Sequence, residues 1–316
     1  MNQKAKKWIQ YALLFVGFLI LVFLIINSEI LDNLNLFLEL NPLYYIVAIL
    51  FVVLNLITKT YRWKYLSQTF QTNMSWKSAF TVFFSSLFFG NITPAKVGDL
   101  YKAYYMKHRY SLRYVNGVSM IFYERFYELL ILALIGSLAI IFMDIDFVTQ
   151  ILMAGVIIFL FVLLLIFTKL HEILLFLQKR LKKIPFISID ENGNLSLQKI
   201  SPIQSLIVFG ITFFALSFEF IRLWFVALAF GVNLPFLYLA IIYCLSIVIG
   251  LISQIPLGLG VMEGSLAVFI TLVSSISLPT ATFIVLIDRV ISMYLLILIG
   301  LIVSKKSFDD LEDVVQ

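Results

Sequence analysis

Charged residues are scarce in this chain, and long apolar runs take their place. Lys, Arg, Asp and Glu make up only 13% of its 316 residues, whereas a soluble domain carries about 25%. Hydrophobic residues account for 62%, and the mean hydropathy is +1.02. Several runs reach the roughly 20 residues that cross a hydrocarbon core. The composition excludes an ordinary soluble protein and predicts an all-α polytopic membrane protein, with a single membrane domain over 1–316.

Cysteine and histidine, which build disulfides and many metal sites, are also rare. The single cysteine, Cys244, excludes an internal disulfide. The two histidines, His108 and His171, lie far from each other and from that cysteine in the sequence, so we expect no metal site. No Walker motif, dinucleotide fingerprint or Ser/His/Asp signature occurs. We therefore expect no cofactor, no ATP-driven step within this chain and no nucleic acid partner.

Six apolar segments predict full membrane spans, and two more are interrupted by proline and glycine. The predicted spans are 8–27, 43–59, 115–143, 148–168, 202–231 and 279–303. The interrupted segments are 76–112 and 235–276. We expect the first span to remain as an anchor, because its apolar run is too long for a signal peptide and no small-residue cleavage site follows it.

Lysine and arginine are concentrated in alternate predicted loops. The loops at 28–42, 144–147, 232–236 and 276–280 contain neither residue. Because basic loops stay in the cytoplasm, we predict that both termini are cytoplasmic, including the tail 304–316. The basic loop 169–200 is either a determinant of this topology or a docking site for a partner, such as a lipid-synthesising enzyme.

The two interrupted segments predict an inverted repeat. Basic loops flank 76–112 on both sides, so this segment should enter and leave the membrane on the cytoplasmic face as a re-entrant hairpin. The flanks of 235–276 are uncharged, so this segment should enter from outside. Similar segments of opposite orientation are typical of transporters with inverted repeats. We predict repeat one at 43–143 and repeat two at 202–303.

The first interruption combines features of an anion site. Pro94 removes a backbone donor, and Gly98 permits unusual dihedral angles. A helix that begins near Pro94 would point its free N–H groups toward the break. The predicted substrate-binding residues of this break are Asn91, Thr93, Pro94, Lys96, Gly98, Asp99 and Lys102. The alternative is a tight turn between packed helices that binds no ligand.

The second interruption, Pro-Leu-Gly-Leu-Gly from Pro256, is less polar. Pro256 aligns with Pro94 about 162 positions earlier. Gly258 and Gly260 serve either the substrate site or close helix packing. Glu263 is a lone carboxylate in an apolar run, which is costly unless paired. It is a candidate partner for a substrate amine, a proton carrier or the partner of an arginine.

Three arginines lie within or at the edges of predicted spans, and each has acidic neighbours. The groups are Arg125 with Glu124 and Glu128, Arg222 with Glu219, and Arg289 with Asp288. Ions inside a membrane need partners and are candidates for a functional site. Structural ion pairs are the alternative. Arg125 and Arg289 occupy matching positions in the two repeats, which favours a substrate site shared between them.

These residues resemble the two signatures of one family. The first comprises 90–94, 98–104 and Glu124-Arg125, and the second comprises 255–263 and Asp288-Arg289. Both are similar to the flippase-like family, also called the lysylphosphatidylglycerol synthase transmembrane-domain family. The resemblance covers about 8–303. It implies a prokaryotic protein of the cytoplasmic membrane that moves or handles lipids.

In bifunctional members of that family, the transmembrane domain is thought to flip an aminoacylated phospholipid made by a soluble domain. Only a short tail follows the last predicted span, so we expect a stand-alone member without the soluble domain. We expect membrane lipids as partners. The leading hypothesis is a flippase or transporter, and not an enzyme, for an anionic or zwitterionic phospholipid or a lipid-linked sugar.

In this hypothesis Lys96, Arg125 and Arg289 hold phosphate, and acids hold any cationic part or carry a proton. The remaining candidate binding residues are Glu124, Arg222, Pro256, Gly258, Gly260, Glu263 and Asp288, together with those of the first interruption. Two alternatives stay open. One is a membrane transferase that acts on polyprenyl-phosphate lipids with Asp99 or Glu263 as the base. The other is a scaffold for a lipid-modifying synthase.

Overall fold

The computed structural model describes residues 3–29, 40–138 and 200–315, with isolated positions at 35, 38, 142, 154–155, 157–159 and 161–162. All regular structure in these ranges is helical, and five helices are long and apolar enough to cross a membrane. The all-α, multi-pass class is thereby confirmed. Most of the predicted span 148–168 and nearly all of the loop 169–200 lie outside the described residues.

Ten α-helices occur in the described ranges. They are α1 (Gln3–Asn27), α2 (Pro42–Thr69), α3 (Trp76–Ile92), α4 (Leu100–Tyr110), α5 (Tyr114–Ser137), α6 (Pro202–Ala229), α7 (Phe236–Ser253), α8 (Val261–Val273), α9 (Leu278–Arg289) and α10 (Leu295–Val315). Short 3₁₀ turns at Pro94–Asp99 and Pro256–Gly258 separate α3 from α4 and α7 from α8. A π-helical turn at Val290–Tyr294 joins α9 to α10.

The helices α2 and α6 have the same length, and each begins at a proline. Each has 28 residues, and they begin 160 positions apart at prolines. The side chain of Asn41 accepts from the amide of Leu43 at 3.0 Å and caps α2. Ser201 and Gln204 form a reciprocal capping box at α6. Both starts therefore satisfy backbone donors that would otherwise be free.

These two helices pack against each other in antiparallel fashion. The amide of Asn41 donates to the carbonyl of Ala229 at one end (2.7 Å). Near the middle, Asn55 Nδ2 donates to the carbonyl of Ala215 (2.6 Å). Asn55 and Ala215 are themselves 160 positions apart, the same spacing as the prolines that begin the two helices.

The remaining contacts follow the same correspondence. Helix α3 packs on α10, and α7 packs on α5. Helix α4 packs on α5, and α8 packs on α9. The two 3₁₀ turns contact each other. Apolar cores form around Trp63, Met106 and Met120 on one side and around Leu223 and Ile284 on the other.

Two predicted boundaries are wrong. Helix α2 continues to Thr69 rather than ending near residue 59. It continues because Lys59, at the predicted end of the span, and Arg62, just beyond it, are ion-paired inside the bundle. Lys64 also lies within α2 and Lys77 lies within α3, so none of these four basic residues is in the connection between the two helices. The returning α-helix of the first hairpin begins at Leu100, not near Pro94, because a 3₁₀ turn comes first.

Candidate functional site

A cavity of about 210 Å³ lies where the two breaks meet. The first break contributes Asn91, Thr93 and Lys96, and the second contributes residues from Gln254 to Gly258. Helices α2, α3, α5, α6, α7 and α9 complete its walls. The charged residues that line it are Lys59, Lys96, Arg125, Glu128, Glu219, Arg222 and Arg289. A polar cavity inside an apolar bundle is where irregular backbone is tolerated in a membrane.

Thr93 organises the first break. Its hydroxyl donates to the carbonyl of Phe89 (2.9 Å) and accepts from the amide of Gly98 (2.7 Å). Lys96 follows in the left-handed region, with φ of 54°. Gly98 is packed so closely on the carbonyl of Phe89 that no side chain fits there. The turn therefore directs Lys96 into the cavity, and in the described chain its ammonium group makes no hydrogen bond or ion pair.

Buried ion pairs lie behind the cavity in the first half. Arg62 donates to Glu124 (2.6 Å) and to Glu128 (2.7 Å). Lys102 donates to the other oxygen of Glu124 (2.6 Å) and lies over the ring of Trp63. Arg62, Lys102 and Glu124 are almost completely buried. Lys102, which we predicted to add charge to the phosphate site, neutralises Glu124 instead.

Arg125 lines the cavity, and its donors are already engaged. Its Nη1 donates to Glu128 (2.6 Å), and its Nη2 donates to Asp99. Asp99, which we predicted to hold a cationic part of the substrate or to carry a proton, is thus the partner of a predicted phosphate-binding arginine. Its carboxylate also lies directly against Gly90, where a β-carbon would overlap it. The first break and α5 are joined by this pair.

Arg222 pairs across helices rather than along its own. It donates to both oxygens of Asp288 (2.7 and 3.1 Å) and to the Tyr243 hydroxyl (3.1 Å). Glu219, the acid expected to accompany Arg222 on α6, instead accepts from Lys59 and from Tyr243 (3.0 Å). Lys59 and Glu219 thereby connect α2 to α6 beside the cavity.

Arg289 is held more loosely. Its Nε lies 3.4 Å from Glu263 Oε1, and its Nη1 lies 3.9 Å from the sulfur of Met293. The hydroxyl of Tyr294 donates to the same Glu263 oxygen (3.2 Å). Within the described chain, Arg289 Nε and Nη2 and Glu263 Oε2 are buried without a hydrogen-bond partner. Such groups are rare, because buried polar atoms are normally paired.

The ion pairs recur at matching positions in the two halves. In each half, an arginine of the first long helix binds an acid on the helix that follows the hairpin. The residue next to that acid is an arginine, which binds an acid from the returning part of the hairpin. The pairs are Arg62–Glu124 and Arg125–Asp99 in one half, and Arg222–Asp288 and Arg289–Glu263 in the other.

The predicted site residues divide into three groups by their place in the structure. Those that line the cavity are Asn91, Thr93, Lys96, Arg125, Arg222, Gly258 and Arg289. Those that bind the cavity arginines or lie one layer behind are Asp99, Lys102, Glu124, Glu263 and Asp288. Those that shape the breaks are Pro94, Gly98, Pro256 and Gly260. Gly260 packs on α1, against Gly17 and Leu21.

Sequence reasoning missed the polar face of α2. Asn55 and Lys59 both line the cavity, and Arg62 supports it from behind. These three residues are spaced by four and three, so they share one face of the helix. This helical spacing of polar residues, inside an otherwise apolar segment, was the sequence feature that could have indicated a polar face on α2. Gln254 and Tyr243 also line the cavity, and no pattern in the sequence marks them.

Comparison with known proteins gives consistent matches. The family model described as lysylphosphatidylglycerol synthase TM region matches residues 9–300. A UPF0104 membrane protein of Methanocaldococcus jannaschii is 28% identical over 220 residues, which are 68% of this chain and 92% of that protein. Another, from Methanothermobacter thermautotrophicus, is 34% identical over 98 residues, which are 31% of this chain and 29% of that protein. The chain therefore belongs to the family of the lysylphosphatidylglycerol synthase TM region.

Proposed function

We propose that this protein is a flippase or transporter that moves a phospholipid or lipid-linked sugar across the membrane. The observation that carries the proposal is the charged cavity lined by both helix breaks. A headgroup enters this cavity while the acyl chains remain in the bilayer. Membership of a family named after a lipid-synthesising membrane protein agrees with a lipid substrate.

The proposal includes an inverted repeat, with about six full spans and two opposed re-entrant hairpins. The antiparallel packing of α2 and α6, 160 positions apart, supports it, as does their contact at Asn55 and Ala215. The returning helix α4 has 11 residues. At 1.5 Å per residue it reaches only about 16 Å, short of a hydrocarbon core of about 30 Å. In the second half, by contrast, Pro256–Val273 is among the five segments long and apolar enough to cross a membrane. In the proposed arrangement both breaks turn inside the bilayer.

Transport fits the cavity better than group transfer. Asp99 and Glu263, the candidate bases of a transferase, are each paired with an arginine that lines the cavity. Neither carboxylate is among the residues that line the cavity, so neither is placed to act on a substrate there. We therefore propose that the protein is not an enzyme. We also propose that both termini are cytoplasmic, that the membrane is the prokaryotic plasma membrane, and that a lipid-synthesising enzyme docks at 169–200.

Reconstitution in liposomes tests this function. Each liposome contains a trace of a fluorescent phospholipid, and a membrane-impermeant reductant bleaches the outer leaflet. Protein-free liposomes should lose only their outer-leaflet signal, whereas liposomes with the protein should lose nearly all of it. Signal loss that matches protein-free liposomes for phospholipid and lipid-linked sugar probes would contradict transport. Chemical conversion of the probe that requires a donor would assign a transferase instead.

A further inference from the structure

We propose that the cavity binds the phosphate of a net-anionic phosphodiester lipid between Lys96 and Arg289. This inference rests on the proposed function and deepens it, since it selects an anionic substrate class over a zwitterionic one. Lys96 comes from the first break, and Arg289 comes from the second half of the molecule. Both line the same cavity.

The first argument is the charge of the cavity and its ion-paired surroundings, which we name the charged cluster. Its cations are Lys59, Lys96, Arg125, Arg222 and Arg289 in the lining, and Arg62 and Lys102 behind it. Its acids are Asp99, Glu124, Glu128, Glu219, Glu263 and Asp288. Seven positive charges thus face six negative charges. The cation left without a paired acid is Lys96, which is exposed to the cavity, and one phosphodiester anion bound there balances the charge of the cluster.

The second argument is that only two lining cations have free capacity among the described residues. The guanidinium groups of Arg125 and Arg222 each make two or more hydrogen bonds to carboxylates. Lys59 is paired with Glu219. By contrast, the ammonium group of Lys96 makes no hydrogen bond or ion pair in the described chain. Arg289 keeps two buried nitrogens without a hydrogen-bond partner, and only one of them, Nε, lies near an acid, 3.4 Å from Glu263.

The geometry of Arg289 suits a phosphate oxygen. A guanidinium presents its N–H donors in a planar fork, which matches two oxygens of a phosphate. The Arg289 side chain is only 6% exposed, so its free donors are not satisfied by bulk water. Lys96 is exposed to the cavity and adds a point charge to the same anion. A zwitterionic headgroup would bring its own cation into a cluster that already has one cation in excess.

Binding is measured on the detergent-solubilised protein as a shift in thermal unfolding. Three probes are titrated: short-chain phosphatidylglycerol, short-chain phosphatidylcholine and inorganic phosphate. Phosphatidylglycerol should raise the unfolding temperature at concentrations at least tenfold lower than either of the others. If phosphatidylcholine binds equally well, the anionic assignment is wrong. If inorganic phosphate binds as well as phosphatidylglycerol, the site belongs to free phosphate and the lipid assignment is wrong.

Variants locate the site. Lys96→Gln should weaken phosphatidylglycerol binding at least tenfold and leave the unfolding temperature of the ligand-free protein unchanged, because Lys96 has no ion-pair partner. Lys77→Gln, an exposed residue of the same hairpin outside the cavity, should bind like the natural protein. Arg289→Lys should weaken binding while retaining the charge. Normal binding by both Lys96→Gln and Arg289→Lys would overturn the site.

The outcome is separable from that of the proposed function. Binding is measured without vesicles, so an intact Lys96-dependent phosphatidylglycerol site in a protein that moves no lipid would reject transport and keep the site. Conversely, transport of phosphatidylcholine and phosphatidylglycerol at equal rates, unaffected by Lys96→Gln, would keep transport and reject the site.

Discussion

The two breaks occupy matching places in the chain and are built in different ways. The first is a six-residue turn, Pro94–Asp99, held by the hydrogen bonds of Thr93. The second is a three-residue turn, Pro256–Gly258, in which successive residues adopt positive φ and glycine allows close packing on α1. The first break supplies a lysine to the cavity, whereas the second supplies the uncharged side chain of Gln254, apolar side chains and backbone. The two breaks, although they are aligned in the sequence, therefore contribute differently to the cavity.

The arginines of the two halves differ in how closely they are paired with acids. Arg125 is bound to Asp99 and Glu128 at close range. Its counterpart Arg289 has one more distant acid, and two of its nitrogens have no hydrogen-bond partner among the described residues. We infer that Arg125 holds the first hairpin in place and that Arg289 is available to a ligand. Breaking each pair in turn tests this contrast.

The largest expected effect belongs to Glu124, which neutralises two buried cations. The substitution Glu124→Gln leaves Arg62 and Lys102 without their shared acid, so it should cost about 3–5 kcal/mol of unfolding free energy. Asp288→Asn, the matching change in the second half, should cost less, because Tyr243 remains bonded to Arg222. Thermal unfolding in detergent measures both. A loss below about 1 kcal/mol for Glu124→Gln would show that the network does not stabilise the bundle.

The next largest change in unfolding free energy should come from removing an arginine together with its acid. The double variant Arg125→Gln with Asp99→Asn should lower the unfolding free energy by about 1–3 kcal/mol, because it removes a close, partly exposed pair. Arg289→Gln with Glu263→Gln should change it by less than about 1 kcal/mol, because that ion pair is longer (3.4 Å) and three of its polar atoms have no hydrogen-bond partner among the described residues. Equal losses in the two double variants would contradict the contrast between the halves.

The next comparison is between two glycines, one in the tightly packed second break and one in the helix that follows it. A β-carbon at Gly260 would lie 2.5 Å from the carbonyl of Gly17, and the φ of Gly260 is +76°. Gly260→Ala should therefore cost about 1–3 kcal/mol. Gly264→Ala, one turn later with open space around it, is the matched control and should be neutral or slightly stabilising. Similar unfolding temperatures for the two variants would mean that the packing of α1 on the second break does not contribute to stability.

The last prediction concerns topology, and its only expected effect on stability is the loss of the Ser75 cap of α3, about 1 kcal/mol. Ser75 and Ser111 are exposed residues at the two ends of the first hairpin. If that hairpin is re-entrant, cysteines placed at either position should react with an impermeant maleimide from the cytoplasmic side alone. The buried Cys244 gives little background. Labelling from opposite sides would mean that the segment crosses the membrane and would remove the inverted-repeat proposal.

Much of the cavity could be predicted from local sequence. Proline and glycine inside apolar runs located both breaks, and the alignment of Pro94 with Pro256 anticipated that they approach each other. Membrane-embedded charges located Arg125 and Arg289. These signals work because broken helices and buried ions are costly in a membrane and survive only where they are compensated.

The pairing of those charges could not be predicted. Sequence neighbours such as Asp288 and Arg289 point to different sides of a helix, so adjacency does not make a pair. Arg62 finds its acids more than 60 positions away, and Lys59 finds Glu219 across 160 positions. Such partners are set by helix packing, which the sequence alone left open. For the same reason, the predicted span ended at Lys59 and left Arg62 outside it.

Helix α1 precedes repeat one in the chain, yet it packs on the break of the second half. Gly17 rests against Ile255 and Leu259, and Gly260 rests against Gly17 in return. Near its start, α1 carries the exposed aromatic residues Trp8 and Tyr11, which are typical anchors at a membrane surface. Helix α1 therefore joins the second break to aromatic residues of the kind that lie at a membrane surface, so the break has a direct packing connection to a surface anchor outside the two hairpins.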